Sequence, residues 1–511
     1  MLLHRGTIRT LDPALPTASA VAIAGSRIAG GVGTHETALP GPERVDLCGR
    51  CVVPGFNDAH VHFPTWAVAR NEIRLEGTRS VEEAVSRVRA AIGSRREGAW
   101  LRGRGWRSGE WAEQPTKEAL DEVTHEIPVA LLSQDSHSLW VNSAALTAAN
   151  GDLEVAGGVV ERDKRGEPTG VLREESCWQF RDRHIRISDN EYVHAMREGL
   201  RVAAARGVTA VHDKDGWIGA LRLWQLLEAD AGLTLRVWQS LPHGQLDHLR
   251  ELGLRSGLGS AMLRVGYLKA FMDGTLGSQT ARMLDGSGVQ ITSRDELAEI
   301  VRGGAEAGWP VAVHAIGDLA NREALDAFEE TRAEWAPVGL RQRIEHAQLL
   351  APEDVDRFAK LGVAASVQFS HAPSDRDLAD RFWAGKTDRA YAFRSLWASG
   401  VVLANGSDAP IEDLDPLAGI VAGVLRTLDE RPPWHPEQAV GIEEALLATC
   451  VNPAWLAYDE HRRGKLVPGF LADLVVLDRD PLAVPPEELP EVNVVATMVG
   501  GRWTHNPPPW D

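Results

Sequence analysis

The chain has 511 residues, 44% hydrophobic and 25% charged, a composition ordinary for a globular protein and long enough for a large core plus a second domain. Its 54 Lys and Arg against 72 Asp and Glu leave a formal charge of −18, which argues against nucleic-acid backbone and anionic membrane surfaces as partners. The 4 cysteines are too few for a disulfide scaffold, and no apolar run reaches the roughly eighteen residues of a membrane span.

Met1–Pro13 mixes His4, Arg5, Arg9 and Asp12 into its apolar residues and carries no signal-peptide core, so a cytoplasmic location is expected. Short alternating segments follow: Thr7–Leu11, Ala18–Ala24 and Arg27–Val32, punctuated by Gly and Pro as in a small antiparallel sheet. Cys48-x-x-Cys51 has the spacing of half a zinc knuckle without a second pair, and both are read as ordinary buried thiols. The last fifty residues are again strand-like, at Asp473–Asp478 and Val494–Val499. A composite β-sandwich from 1–54 and 464–511, interrupted by a larger α/β domain over 55–463, is expected.

Within 55–463, short apolar runs alternate with charged amphipathic helices. Eight runs stand out: Val52–Phe56 leading into Asp58–His62, Gly207–His212, Leu235–Leu241, Leu263–Phe271, Pro310–His314, Arg343–His346, Val363–Gln368 and Val401–Asn405. Helices are expected at Asp295–Ala307, Asn321–Glu334 and Pro352–Leu361. Eight such units are what a (β/α)8 TIM barrel requires. The long interval after the first run, 64–200, reads as an insertion that shapes the substrate pocket, with a strand at Pro128–Ser133 and a polar loop at Asp135–Ser138.

In such a barrel the chemistry sits at the carboxyl ends of the strands. His60 and His62 end the first run, and the period of two sends both imidazoles to one face. Lys269 lies in the fourth run, His314 closes the fifth, His346 closes the sixth and Asp408 follows the eighth. Imidazoles and a carboxylate suit one or two divalent cations, zinc first, with manganese, iron or nickel not distinguished. Lys269 has two readings. Deprotonated beside metal charge, it adds carbon dioxide and bridges two cations as a carbamate; protonated, it binds a substrate carboxylate or pairs with Asp273.

The segments Val53–His62, Lys269–Ser278, Val313–Asp318, Arg343–His346 and Gly406–Pro410 resemble the amidohydrolase superfamily. More narrowly they resemble the amidohydrolase-3 branch that includes the N-substituted formamide deformylases. The resemblance implies a distorted barrel, with a ligand set of His60, His62, Lys269, His314, His346 and Asp408. Arg107 after Gly105-Trp106, and Lys214 after His212-Asp213, depart from the branch pattern and are expected to add positive charge near the pocket.

The chemistry expected is hydrolysis of a non-peptide C–N bond in a small amide-type molecule by metal-activated hydroxide, the water pKa falling from 15.7 towards about 7. Asp408 would carry the water's proton to the departing nitrogen. His137 is a candidate for polarising the carbonyl, and Trp106, His137, Asp273 and Gln368 are assigned to substrate binding. Trp106, Trp111 and Trp140 are candidates to line an apolar pocket, and core packing of the insertion is the preferred reading of each taken singly. The alternatives are an esterase or lactonase, a heterocycle deaminase and a non-catalytic binding barrel. A homodimer is compatible with the sequence.

Overall fold

Eight parallel strands form one sheet in the computed structural model, which describes residues 1–33, 43–94, 100–107, 111–134, 136–150 and 153–510. In order they are Phe56–Val61, Val208–Asp213, Arg236–Pro242, Leu263–Phe271, Val311–Ala315, Arg343–His346, Ala364–Val367 and Leu403–Asn405. Each pairs with the next. The ring is closed by backbone bonds just past the eighth strand: Asp408 N donates to His60 O at 2.7 Å and His62 N donates to Ala409 O at 2.8 Å. Strands one, two and five to eight are buried along their whole length, as expected of parallel strands covered on both faces.

The helices end where local chemistry stops them. Arg294–Ala307 starts at a capping box, Ser293 with Glu296, and ends at Gly308 with φ +76°. Pro352–Leu361 begins on its proline and ends at Gly362 with φ +79°. The helix expected over Asn321–Glu334 is instead Asp318–Glu330, followed by a separate turn Arg332–Trp335. The segment Val52–Phe56 is likewise not one strand. Cys51–Pro54 pairs with Leu2–Arg9 and Leu474–Leu477, whereas Phe56 opens the first barrel strand, because Gly55 packs against Thr209, where a Cβ would lie 2.2 Å from its hydroxyl.

The terminal strands form an eight-stranded sheet around their own apolar cluster, which includes Leu3, Val21, Val52, Leu474 and Met498. Leu2–Arg9 is the branch point: its first half pairs with Arg44–Asp46 and its second half with Cys51–Pro54. The terminal strands are thus joined by hydrogen bonds into one connected sheet. Of the two thiols expected to be buried, Cys51 is buried but Cys48 is exposed, on a turn with φ +50°.

The chain divides into two compact units, Met1–Pro64 with Met196–Asp511, and Thr65–Ala195. The second unit carries a six-stranded sheet in the order Gly158–Arg162, Pro168–Glu174, Ser138–Val141, Val129–Ser133, Leu101–Trp106 and Ile73–Arg74. Asp135 of the polar loop lies outside the described residues. No helix among the described residues is long and apolar enough to cross a membrane.

Candidate metal centre

The first strand delivers both of its imidazoles to the mouth of the barrel. His60 Nε2 lies 3.4 Å and His62 Nε2 lies 3.5 Å from Asp408 Oδ1. Each ring is aimed by the carboxylate at its other nitrogen: Glu345 Oε2 is 2.8 Å from His60 Nδ1, and Asp215 Oδ1 is 2.8 Å from His62 Nδ1. A ring that gives its Nδ1 proton to a carboxylate keeps its Nε2 lone pair for a cation. His60 Nε2 is buried with no hydrogen-bond partner.

The fifth and sixth strands add two more rings. His346 lies with its centroid 4.8 Å from that of His60 and 4.5 Å from that of His314. Its Nδ1 is held by Gln368 Oε1 at 2.8 Å. His314 Nε2 donates to Gly274 O at 3.0 Å, so Nδ1 is the atom it has left to ligate with. Lys269 is 1% exposed and its Nζ has no hydrogen-bond partner; its nearest aromatic contact is the Phe271 ring, 4.8 Å to the centroid. His371, just beyond the seventh strand, completes the group with Nε2 3.8 Å from Asp408 Oδ2.

Two triads can each place one ligating atom per residue within 4.8 Å of the others: His60, His62 and Asp408, and His346, His371 and Asp408. The electrostatics keep His60 and His314 neutral and favour positive charge at His62 beside Asp215 and Asp408. Burial holds His60 down at about 4 and His314 at about 3, the neutral, ligating form. Burial also acts to lower His62, but Asp215 and Asp408 outweigh it and raise the ring to about 10. Burial would push Asp408 up, yet the surrounding imidazoles hold it well below the usual carboxylate range. Burial lowers Lys269 from its ordinary value. One carboxylate facing four imidazoles, with orphaned nitrogen atoms on His60 and Lys269, is a donor set that fits a divalent cation.

The backbone is held in an uncommon shape at the same place. His346 has φ +76° and Asp408 φ +57°, left-handed conformations that cost a non-glycine residue about 1–3 kcal/mol and persist only where neighbours enforce them. Asp58 is one such neighbour: its carboxylate accepts from His60 N at 2.9 Å and from Ser407 N at 3.1 Å, tying the first strand to the Asp408 loop. Gly406 allows this approach, since a Cβ there would sit 2.4 Å from His60 N. Gly406→Ala should therefore separate His60 from Asp408. The expected result is a loss of about 1–3 kcal/mol of stability together with weaker metal binding, measured by denaturant unfolding and metal titration.

The amidohydrolase family model, of the amidohydrolase-3 group, matches residues 43–505. The chain belongs to the amidohydrolase family. It is 32% identical to Protein LONG AFTER FAR-RED 3 of Arabidopsis thaliana, covering 98% of this chain and 91% of that protein. It is 28% identical to an N-substituted formamide deformylase of Arthrobacter pascens, covering 98% of this chain and 97% of that enzyme. An uncharacterized metal-dependent hydrolase from Pyrococcus horikoshii superposes with a TM-score of 0.80 at 29% identity, over 95% of this chain and 99% of that one. The amidohydrolase is accordingly a hydrolase.

Three sequence readings change in this amidohydrolase. Asp273 is not open to substrate or to Lys269: its carboxylate is fully buried and accepts from the backbone N–H groups of Arg282, Ile316 and Gly317, bracing the loops after the fourth and fifth strands. Gln368 spends its carbonyl on His346, and only its buried Nε2 lacks a partner. Lys214 offers no charge to a pocket, since it is fully buried with Nζ 3.0 Å from Glu345 Oε1. Arg343 Nε lies 2.9 Å from the same oxygen, and Glu345 is held well below its usual range by Arg343 and His60.

Trp106 and His137 lie in the Thr65–Ala195 unit of the amidohydrolase. Trp106 is 1% exposed, packs among Trp111 and Trp140 and donates its indole N–H to Leu131 O, which makes it a core residue of that unit. His137 Nδ1 lies 2.8 Å from Glu174 Oε2. Arg107 Nε donates to Gln134 Oε1. The residues that sequence reasoning passed over are Asp215, Glu345 and His371. Asp215 and His371 follow strands two and seven and Glu345 is the penultimate residue of strand six, so the strand-end rule applied to those strands leads to them.

Proposed function

We propose that this amidohydrolase cleaves a non-peptide C–N bond, in an amide, formamide or cyclic amide, with zinc as its cofactor. His60, His62, His346, Asp408 and the Nδ1 of His314 would hold the metal, whose Lewis acidity polarises a carbonyl and acidifies water. The observation that carries the reading is Asp408. It is a buried carboxylate, kept ionised by its imidazole neighbours, at the centre of the group. A carboxylate so placed takes a proton from attacking water and delivers it to the departing nitrogen, a transfer that amides need because an amine anion leaves very poorly. Glu345, Asp215 and Gln368 fix the tautomers of His60, His62 and His346 while this happens. The likeness to an N-substituted formamide deformylase supports the same bond class.

Lys269 is proposed to act as a carbamate. Its neutral amine attacks the carbon of carbon dioxide, an N–C bond forms and the displaced proton leaves to water. Burial without a hydrogen-bond partner favours the neutral amine that this requires.

The test is an assay of zinc-loaded protein on N-formyl and N-acyl amines beside their matched esters and an aminated heterocycle. Release of amine is expected, abolished by chelator and restored by zinc. In the same preparation, 13C-bicarbonate should yield a carbamate signal that Lys269→Ala lacks. Turnover of esters alone would overturn the C–N reading, and ammonia release from the heterocycle would replace it with deamination.

A further inference from the structure

We infer that His371 is a catalytic hydrogen-bond donor, one that presents a neutral Nε2–H to the substrate's carbonyl oxygen as it takes on charge, and is not a metal ligand. This rests on the hydrolase reading above and adds a residue to it.

The tautomer carries the argument. His371 is 4% exposed, in the short helix His371–Ser374 that follows the seventh barrel strand. Gln348 Nε2, an amide nitrogen that can only donate, faces His371 Nδ1 at 3.2 Å. Nδ1 must therefore accept, and the ring's single proton resides on Nε2. That Nε2 is buried, has no hydrogen-bond partner and lies 3.8 Å from Asp408 Oδ2, too far for a hydrogen bond and close enough to share a reacting group. His346 is held the opposite way: a carbonyl oxygen, Gln368 Oε1, faces its Nδ1, so its Nε2 is a lone pair. The two rings lie parallel, 7° apart with centroids 6.3 Å from each other, and they carry their protons on opposite nitrogens. Gln348 and Gln368 thus select different tautomers in adjacent histidines. A protonated nitrogen has no lone pair for a cation, so although His371 stands within ligating distance of His346 and Asp408, its chemistry is donation.

The step involves no proton transfer from His371. When water's oxygen bonds to the carbonyl carbon, the C=O π pair moves onto oxygen, and the His371 N–H shortens its contact with that oxygen. A preorganised donor of this kind is worth about 10²–10³ in kcat.

The decisive experiment compares wild type, His371→Ala and His371→Gln in metal-loaded protein, on whichever acyl substrate wild type turns over, amide or ester. The result expected for His371→Ala is the wild-type metal stoichiometry, a kcat lower by about 10²–10³-fold and a KM within a few-fold. His371→Gln, which restores an N–H, should recover part of the loss. Selective 15N labelling of histidine should show a proton on His371 Nε2, in a signal missing from His371→Ala, that survives zinc addition. Loss of one metal equivalent in His371→Ala, or loss of the Nε2 proton on zinc binding, would make His371 a ligand and overturn the proposal. An unchanged kcat would overturn it as well. Failure of amide turnover with an intact ester effect would sink the C–N reading alone, leaving the donor role standing.

Discussion

Asp408→Asn is expected to lower kcat on an amide by about 10²–10⁴-fold while leaving an amide oxygen in the place of the carboxylate. The substitution is nearly isosteric, so the geometry around His60 and His62, 3.4 and 3.5 Å away, should survive. What disappears is a base held well below the usual carboxylate range by three imidazoles and therefore ionised at neutral pH. The loss should be larger on an amide than on an activated ester of the same acyl group, because a weakly basic alkoxide leaves without a proton. Parallel kinetics on the two substrates, with metal analysis of the variant, measure this. Equal losses on both would remove Asp408 from the leaving-group step, and a loss below tenfold would remove it from proton transfer altogether.

Glu345→Ala should be the most destabilising single change in the barrel. Glu345 is fully buried between Lys214, Arg343 and His60, and its removal leaves two cationic side chains, each without exposure, facing one another with no counter-charge. Breaking a buried pair in this way costs about 3–5 kcal/mol, far more than the intact pair contributes, since the orphaned charge cannot regain water. The same variant frees His60 Nδ1, and loss of such an orienting carboxylate typically weakens metal binding by about 10–100-fold. Urea unfolding read by fluorescence and a competitive metal titration separate the two effects. Combining Glu345→Ala with Lys214→Met should recover part of the stability and none of the metal affinity. A Glu345→Ala protein as stable as wild type would show that the charges under the site are solvated or neutral.

The order of barrel strands was legible because parallel strands buried on both faces read as apolar runs, and seven of the eight fall where those runs lie. The exception, Val52–Phe56, failed for a reason that periodicity does not carry: two sheets meet at Gly55, and only the close approach of Thr209 divides the run. Four of the site's imidazoles, His60, His62, His314 and His346, and the carboxylate of Asp408 were visible at or beside strand ends, whereas His371 was not. Three side chains whose surroundings differ from expectation share a cause. Asp273, Gln368 and Lys214 each sit beside the right segment, but a side chain's partner is set by what arrives from another strand: backbone N–H groups for Asp273, His346 for Gln368 and Glu345 for Lys214.

By itself, then, the order of residues determined a composition suited to a large α/β core, eight alternating units, and polar groups of the right type at the ends of the strands. These are local properties, written in spacing and residue chemistry. Only the tertiary structure decided which nitrogen of each histidine faces inward, that His371 joins Asp408, and that Lys214 is sealed beneath the site. Those outcomes depend on single hydrogen bonds between residues tens to hundreds of positions apart, such as Glu345 to His60 and Gln348 to His371, and no local pattern encodes a distance that the closing of the barrel creates.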